Sequence, residues 1–141
     1  MNIALFSGQG SQYTGMGKDI AEAYPETERF YQEASEILGR DMKKICFESP
    51  AEELSRTINA QPAILITSLV SITAAISKGF RFEGVAGHSL GEYAAMAVSG
   101  MVSEKDIFRL IKARSEAMEE AARENKGAMA AVMKIEPSKV E

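Results

Sequence analysis

The stretch that decides the fold is GVAGHSLGEYAA, residues 84–95, in which Ser89 stands between Gly87 and Gly91. A short apolar run precedes the serine and an amphipathic segment follows it, which predicts a strand, a sharp turn and a helix. Glycines two positions before and after the serine leave room for the turn, because a Cβ there would collide with neighbouring backbone. Ser89 would then project at a helix N-terminus, whose N–H groups favour developing negative charge. The pattern is typical of a nucleophile elbow.

The only histidine of the chain, His88, stands directly beside this serine. A base must reach the serine oxygen at about 2.6–3.2 Å while a third group orients its other nitrogen. Neighbouring residues of a strand point to opposite faces, so an adjacent histidine meets both demands poorly. We therefore interpret His88 as a packed or site-lining residue and expect the base of Ser89 elsewhere.

Strands and helices alternate along the rest of the chain. The predicted elements are a strand at 2–6, helical segments over 18–38 interrupted near Pro25, a helix begun by Ser49-Pro50-Ala51-Glu52, a helix from Pro62 to Lys78, a strand at 84–88, a helix at 90–99, a helix that Ser103 caps with Asp106 and that reaches about 125, and a strand at 127–135. In the third of these, Ser49 would cap the helix, Pro50 would take its first position and Glu52 would close a capping box. The alternation predicts an α/β fold with a mostly parallel sheet, buried on both faces by flanking helices.

The number of strands bears on the domain organisation. Three strands are too few to sandwich these helices well, and the longest of them, at 127–135, suits a separate small subdomain. The segment from Pro137 to Glu141 reads as the first turn of a further helix. We therefore expect the chain to be the front portion of a longer protein, the alternative being a complete small domain with a ragged tail.

Composition excludes several classes of protein. The 141 residues have a net charge of −4 and are 45% hydrophobic, without a basic block, which argues against nucleic-acid binding. The single cysteine, Cys46, is expected to be a small buried hydrophobe in a reducing compartment. The N-terminus lacks the basic region of a signal peptide, and the longest apolar run, at 63–76, looks too short and hydroxylated to span a bilayer. A cytoplasmic protein without a membrane partner is the simplest interpretation.

The glycine-rich loop that follows the first strand invites comparison with phosphate loops. A Walker pattern ending at Lys18 would need glycine in place of Gln12, and a dinucleotide fingerprint would need glycine in place of Tyr13. A loop after a neighbouring strand can instead supply the second oxyanion donor to a serine nucleophile. The backbone N–H groups of Leu90 and Gln9 are the two candidate donors, although a flexible glycine turn without chemistry would explain the loop equally well.

Three stretches together carry a resemblance to a known family: FSGQGSQYTGMG at 6–17, AQPAILITSL at 60–69 and GHSLGEYAA at 87–95. In this order they resemble the malonyl-CoA:acyl carrier protein transacylases and the related acyltransferase domains of fatty-acid and polyketide synthases. The resemblance extends from Asn2 to the strand at 127–135. Ser7 departs from the family pattern, which usually has proline before Gly-Gln-Gly; this could loosen the loop without touching the backbone donor.

The resemblance implies a division of the chain and a set of roles. Residues 1–126 would form the front part of an α/β-hydrolase-like acyltransferase core, and residues 127–141 would begin a small ferredoxin-like subdomain. Ser89 would be the nucleophile, and the N–H groups of Gln9 and Leu90 would form the oxyanion hole.

Two further roles concern the substrate and the base. Arg114, in KARSEAM at 112–118, matches the arginine that holds the malonyl carboxylate; without the resemblance it would be read as a solvated helix arginine. His88 matches the family's histidine next to the serine, which is not the base. The family's base histidine, with a glutamine region that helps to position the site, would lie beyond Glu141.

The reaction that the resemblance implies is ping-pong transfer of a malonyl group from malonyl-CoA to the phosphopantetheine thiol of acyl carrier protein. Coenzyme A thioester is then a substrate, and no cofactor or metal is expected. These 141 residues alone would turn over slowly or not at all. Two alternatives stay open: a serine hydrolase of the α/β-hydrolase or patatin kind, and an inactive fragment or scaffold that binds a partner.

Overall fold

The computed structural model describes residues 1–125, 127, 132 and 134–139. In chain order the elements are β1 (Ile3–Phe6), α1 (Lys18–Ala23), a 3-10 turn (Pro25–Thr27), α2 (Glu28–Leu38), α3 (Met42–Glu48), α4 (Ala51–Ser55), α5 (Thr57–Ser77), β2 (Gly84–Gly87), α6 (Gly91–Val98), α7 (Glu104–Glu124) and a 3-10 turn (Pro137–Lys139). Most of the strand predicted at 127–135, and with it the test of a separate subdomain, lies outside the described residues.

The two strands form a parallel pair, with Ile3 opposite Gly84 and Phe6 opposite Gly87. All the helices from α1 to α5 belong to the connection between them. In a parallel pair both strands end at the same edge, so the loop after β1 and the turn after β2 come together there. The predicted parallel arrangement is confirmed for this pair.

Burial of the sheet differs from the prediction. Ala4 and Phe6 are buried, whereas Leu5 keeps 77% of its surface exposed and Ile3 keeps 40%. Alternate side chains of a strand point to opposite faces, so one face of β1 packs on the helices and the other is open. Burial of the sheet on both faces is therefore wrong for the part of the chain that the structure describes.

The central helix α5 begins earlier than predicted. It starts at Thr57, five residues before Pro62, which the sequence placed at the first turn. Proline has no N–H, so the carbonyl of Ile58 loses its normal partner inside the helix. The guanidinium of Arg40 supplies a replacement, with Nη2 donating to the Ile58 oxygen at 2.9 Å. A side chain from outside the helix thus lets it continue through the proline.

Helix α5 contributes many residues to the hydrophobic core of the domain. By length and composition alone its 21 residues could cross a membrane, because the helix extends beyond the apolar run at 63–76. However, 61% of its most apolar window is buried inside the domain, against helices that include α2, α6 and α7. This burial is what a core helix of a folded domain shows.

Two predicted helix starts had different outcomes. The cap of α7 is confirmed: Ser103 Oγ accepts the N–H of Asp106 at 3.1 Å. The capping box at Ser49 is wrong. Pro50 keeps an extended backbone with ψ 151°, so it is itself the cap residue and α4 starts at Ala51, one residue too late for Ser49 to cap it.

The single cysteine is buried as predicted. Cys46 has no exposed surface and is a free thiol within α3. Burial raises the pKa of this thiol to about 12, because the thiolate would lose its hydration. A thiol held in its neutral form behaves as a small hydrophobe rather than as a nucleophile.

Candidate active site

The turn between β2 and α6 holds Ser89 in a left-handed backbone conformation with φ 52°. Such a conformation costs a non-glycine residue about 1–2 kcal/mol, so the surrounding structure must enforce it. The turn is closed by backbone hydrogen bonds from Gly91 N–H to the His88 oxygen at 2.9 Å and from Glu92 N–H to the Ser89 oxygen at 3.1 Å. The serine side chain is exposed at the tip of this turn.

The two flanking glycines permit a very close approach of backbone segments. A Cβ on Gly87 would lie 2.1 Å from the carbonyl carbon of Gly91. A Cβ on Gly91 would lie 2.2 Å from the carbonyl oxygen of Phe6, at the end of β1. The atoms in the way are backbone, which cannot rotate aside. The predicted reason for glycine at both positions is confirmed.

The loop after β1 lies directly against this turn. A Cβ on Gly8 would lie 2.8 Å from the backbone oxygen of His88 and 2.9 Å from its Nδ1. Within the loop, Gly10 N–H donates to Gln12 Oε1 at 2.9 Å. The N–H groups of Gln9 and Leu90 donate to no atom in the described part of the chain. Neither predicted donor is therefore engaged by another described group, and their role as oxyanion donors stays a prediction.

His88 is exposed, so of the two interpretations given above the packed histidine is wrong. Its imidazole lies beside Gly8, on the loop that contains Gln9. No hydrogen bond joins it to Ser89 within the residues described. The geometry gives no sign that His88 takes the proton of Ser89, and its role as a lining residue stays a prediction.

Helix α7 brings Arg114 to the serine across 25 positions of sequence. Arg114 Nη2 lies 3.4 Å from Ser89 Oγ, at the long end of hydrogen-bond distance. The guanidinium carbon lies 5.5 Å from the ring centroid of Tyr93, within range of a cation–π contact. Arg114 Nη1 is buried and has no partner in the region that the structure covers. A half-buried cation with a spare donor therefore faces the serine.

Sequence reasoning missed Gln61. This residue of α5 is fully buried, and its Nε2 donates to Gln9 Oε1 at 3.3 Å and to Met118 Sδ at 3.1 Å. The signal was present, since a buried amide in a mostly apolar helix needs hydrogen-bond partners. Nothing in the sequence, however, indicated that the partner would be the loop after β1.

The assembled groups define what the site can do. An exposed hydroxyl and a guanidinium with an unpaired donor meet at one edge of the sheet, where the two elements that carry the unbonded N–H groups of Gln9 and Leu90 also lie. A hydroxyl beside free N–H groups suits addition to a carbonyl, and a guanidinium suits a carboxylate. Over the described ranges, no group of three or more His, Cys, Asp or Glu side chains could hold a metal ion.

Comparison with known proteins places the chain in a family. The chain matches the acyl transferase domain model over residues 4–141. It is 44% identical over 129 residues to the malonyl CoA-acyl carrier protein transacylase of Bacillus subtilis strain 168, with 92% of this chain and 41% of the relative covered. It is 39% identical over 137 residues to the Escherichia coli K12 protein of the same name, with 96% and 44% covered.

Solved structures of transacylases are similar to this chain in fold. The malonyl CoA-acyl carrier protein transacylase of Clostridium perfringens superposes with a TM-score of 0.79 at 38% identity, covering 86% of this chain and 39% of that one. A type II PKS acyl-carrier protein in complex with its malonyl-transacylase gives 0.78 at 40% identity, covering 86% and 40%. The chain spans about two fifths of the length of these relatives. The chain belongs to the acyl transferase domain family.

Proposed function

We propose that this chain contributes to a malonyl-CoA:acyl carrier protein transacylase that works through a malonyl-serine intermediate. The observation that supports the proposal is the approach of Arg114 Nη2 to within 3.4 Å of Ser89 Oγ, with a second guanidinium nitrogen buried and unpaired. Relatives named malonyl CoA-acyl carrier protein transacylase support the choice of substrate. In this proposal the turn at Ser89 is a nucleophile elbow.

The first half-reaction loads the serine. Ser89 Oγ attacks the thioester carbon of malonyl-CoA, and a base takes the hydroxyl proton. Negative charge develops on the carbonyl oxygen, where the N–H groups of Gln9 and Leu90 stabilise it; one such donor is worth about 2.7–4 kcal/mol. Collapse of the tetrahedral intermediate breaks the carbon–sulfur bond. The CoA thiolate then receives the proton from the base and leaves.

The second half-reaction unloads the serine. The phosphopantetheine thiol of acyl carrier protein gives its proton to the base and attacks the malonyl-serine ester. The same two N–H groups stabilise the new oxyanion. When the carbon–oxygen bond breaks, Ser89 Oγ recovers the proton from the base and malonyl-carrier protein is released. The cycle balances without a cofactor or a metal ion.

The base is proposed to be a histidine beyond Glu141. His88 is the only histidine of these 141 residues, and it makes no hydrogen bond to Ser89 in the structure as described. A general base must come within hydrogen-bond reach of the proton that it removes. The relatives are more than twice as long as this chain, which leaves ample polypeptide to supply such a residue.

Arg114 is proposed to select the malonyl group. A guanidinium offers a planar fork of donors that matches a carboxylate, and such a charge-assisted contact contributes about 1.5–3 kcal/mol. Acetyl groups lack this carboxylate and would lose the contact. The expected preference for malonyl over acetyl is therefore roughly tenfold to a hundredfold.

The proposal also includes the untested parts of the sequence interpretation. Residues 1–126 would be the front part of the α/β-hydrolase-like core, and residues 127–141 would begin a ferredoxin-like subdomain. The protein would act in the cytoplasm on malonyl-CoA and acyl carrier protein, without nucleic acid or a membrane. A serine hydrolase is not favoured, because hydrolysis gives no reason for a carboxylate-binding arginine beside Ser89.

The decisive experiment uses the complete gene product with malonyl-CoA, in the presence and absence of acyl carrier protein. We expect covalent malonyl labelling at Ser89 by intact mass and peptide mapping, and transfer of the label to carrier protein. Ser89→Ala should abolish the labelling. Persistent labelling at another residue, or malonate release at the same rate with and without carrier protein, would overturn the proposal.

A further inference from the structure

Gln61 is a buried amide in the second turn of α5, with no exposed surface. The helix around it is mostly apolar. A buried amide gives up its hydrogen bonds to water, which costs free energy unless protein groups replace them. The partners of Gln61 therefore indicate why an amide stands there.

These partners belong to two other parts of the fold. Gln61 Nε2 donates to Gln9 Oε1 at 3.3 Å, on the loop after β1. The same nitrogen lies 3.1 Å from the sulfur of Met118, four residues after Arg114 on α7. Residues four apart share one face of a helix, so Met118 lies on the Arg114 side of α7. Gln61 thus links the central helix to both elements that face the serine.

The other end of the Gln9 side chain is also held by α5. Gln9 Nε2 donates to Thr57 Oγ1 at 3.3 Å, and Thr57 precedes Gln61 by one helical turn. Thr57 and Gln61, on one face of α5, therefore hydrogen-bond to the nitrogen and the oxygen of the Gln9 amide. Gly8 and Gly10 flank Gln9 and restrict the backbone little, so hydrogen bonds orient its peptide. These are the two bonds to the Gln9 side chain and the bond that Ser11 Oγ donates to the Gly8 oxygen at 2.9 Å.

We propose that Gln61 is a positioning residue that, together with Thr57, holds the N–H of Gln9 toward the oxyanion formed at Ser89. The inference rests on the proposed function, because it assigns a purpose to one of the two proposed donors. An oxyanion donor acts when it lies about 2.7–3.1 Å from the charged oxygen. A misplacement of about 1 Å can lower a rate roughly a hundredfold.

The hydrogen bonds of Gln61 separate this role from a purely structural one. Its Oε1 is buried and has no partner among the residues that the structure includes. An apolar side chain of similar length would remove this unsatisfied acceptor, and the exposed Gln9 amide could bond to water instead. Replacement of Gln61 should therefore leave stability unchanged or higher while it weakens catalysis.

The test compares Gln61→Met with the wild type in the complete gene product. We expect the rate of malonyl-Ser89 formation to fall about 10- to 100-fold, with KM for malonyl-CoA changed less than about threefold and the urea midpoint no lower. Asn59→Leu is the matched control. Asn59 is another buried amide of α5, but it bonds to Glu53 and Arg40 rather than to the loop. That variant should lose stability and keep its kcat.

A double-mutant cycle sharpens the result. Gln9→Ala keeps the backbone N–H but removes the side chain that Gln61 grips. In that background Gln61→Met should change the rate less than about twofold, because nothing remains to be positioned. Two outcomes would overturn this inference alone, provided that the wild type is labelled at Ser89. One is that the rate losses of the two single variants multiply in the double variant. The other is that Gln61→Met keeps the kcat of the wild type. A wild type that is never labelled at Ser89 would overturn the proposed function and the inference together.

Discussion

The turn after β2 and the loop after β1 face the same serine, but different interactions hold them. The turn is set by backbone against backbone, because Gly87, Gly91 and Phe6 approach too closely for any Cβ. Beyond the packing of Gly8 against His88, the loop is set by side chains: Gln9 and Gln12 reach to residues at the start of α5 and the end of α4. Each region presents one free N–H. Backbone packing produces a rigid donor, whereas side-chain contacts produce one that single substitutions can loosen.

The largest expected effect is on the turn. Gly91→Ala places a Cβ 2.2 Å from the carbonyl oxygen of Phe6, and neither backbone can move without breaking the strand pair. We expect the free energy of unfolding to fall by about 3 kcal/mol or more, measured by urea denaturation. Gly84→Ala, at the start of β2, is the matched control, because its Cβ meets only the flexible tip of Ile3. Equal losses in the two variants would contradict a backbone-determined turn.

The next effect concerns the guanidinium that faces the turn. Arg114→Ala should raise the ratio of acetyl to malonyl transfer by about 10- to 100-fold, because the contact with the substrate carboxylate is lost. The measurement is kcat/KM for acetyl-CoA and malonyl-CoA. Arg109→Ala, an exposed arginine on the same helix paired with Asp106, serves as the control. An unchanged ratio would leave Arg114 without a role in selection.

A smaller effect is expected in the loop. Gln12→Leu removes the bonds to Gly10 N–H and to Ser55 Oγ, each of which contributes about 1 kcal/mol or less. Hydrogen exchange at the Gly10 amide should accelerate about fivefold, while the urea midpoint of the domain barely moves. Gln32→Leu, at an exposed glutamine of α2, should leave that exchange rate unchanged. A large drop in global stability would show that the loop and the turn are not held differently.

The smallest expected effect is a gain in stability, at Ser89 itself. Glycine adopts a φ of 52° without the steric cost that alanine pays, but it loses more backbone entropy on folding. We therefore expect the free energy of unfolding of Ser89→Gly to exceed that of Ser89→Ala by roughly 0.5–1 kcal/mol. Urea denaturation of Ser89→Gly and Ser89→Ala measures the difference. Ser99→Gly, at the other end of α6 with an ordinary φ of −75°, should instead lose stability. If Ser89→Gly is the less stable of the first pair, the turn stores no strain.

Local sequence signals predicted the parts of the site that depend on neighbouring residues. The strand, turn and helix around Ser89 follow from glycine spacing and apolar periodicity within 12 residues, and the structure has them close to the predicted bounds. Ser103 caps α7 because its partner Asp106 is three residues away. Where the competing interaction came from a distant segment, prediction failed: α5 runs through Pro62 because Arg40, 22 positions earlier, bonds to the freed carbonyl.

The sequence by itself determined which functional groups the chain contains and which local structures carry them. These are a serine between glycines, a glycine-rich loop after a strand, and an arginine on a long amphipathic helix. These features depend on steric and hydrogen-bonding rules that act over a few residues. Only the tertiary structure decided which of them meet. It brought Arg114 next to Ser89 and placed Gln61 within hydrogen-bond distance of Gln9. Such contacts arise from the tertiary packing of α5 and α7 within the domain. Packing partners so far apart in the chain leave no periodic trace in the sequence.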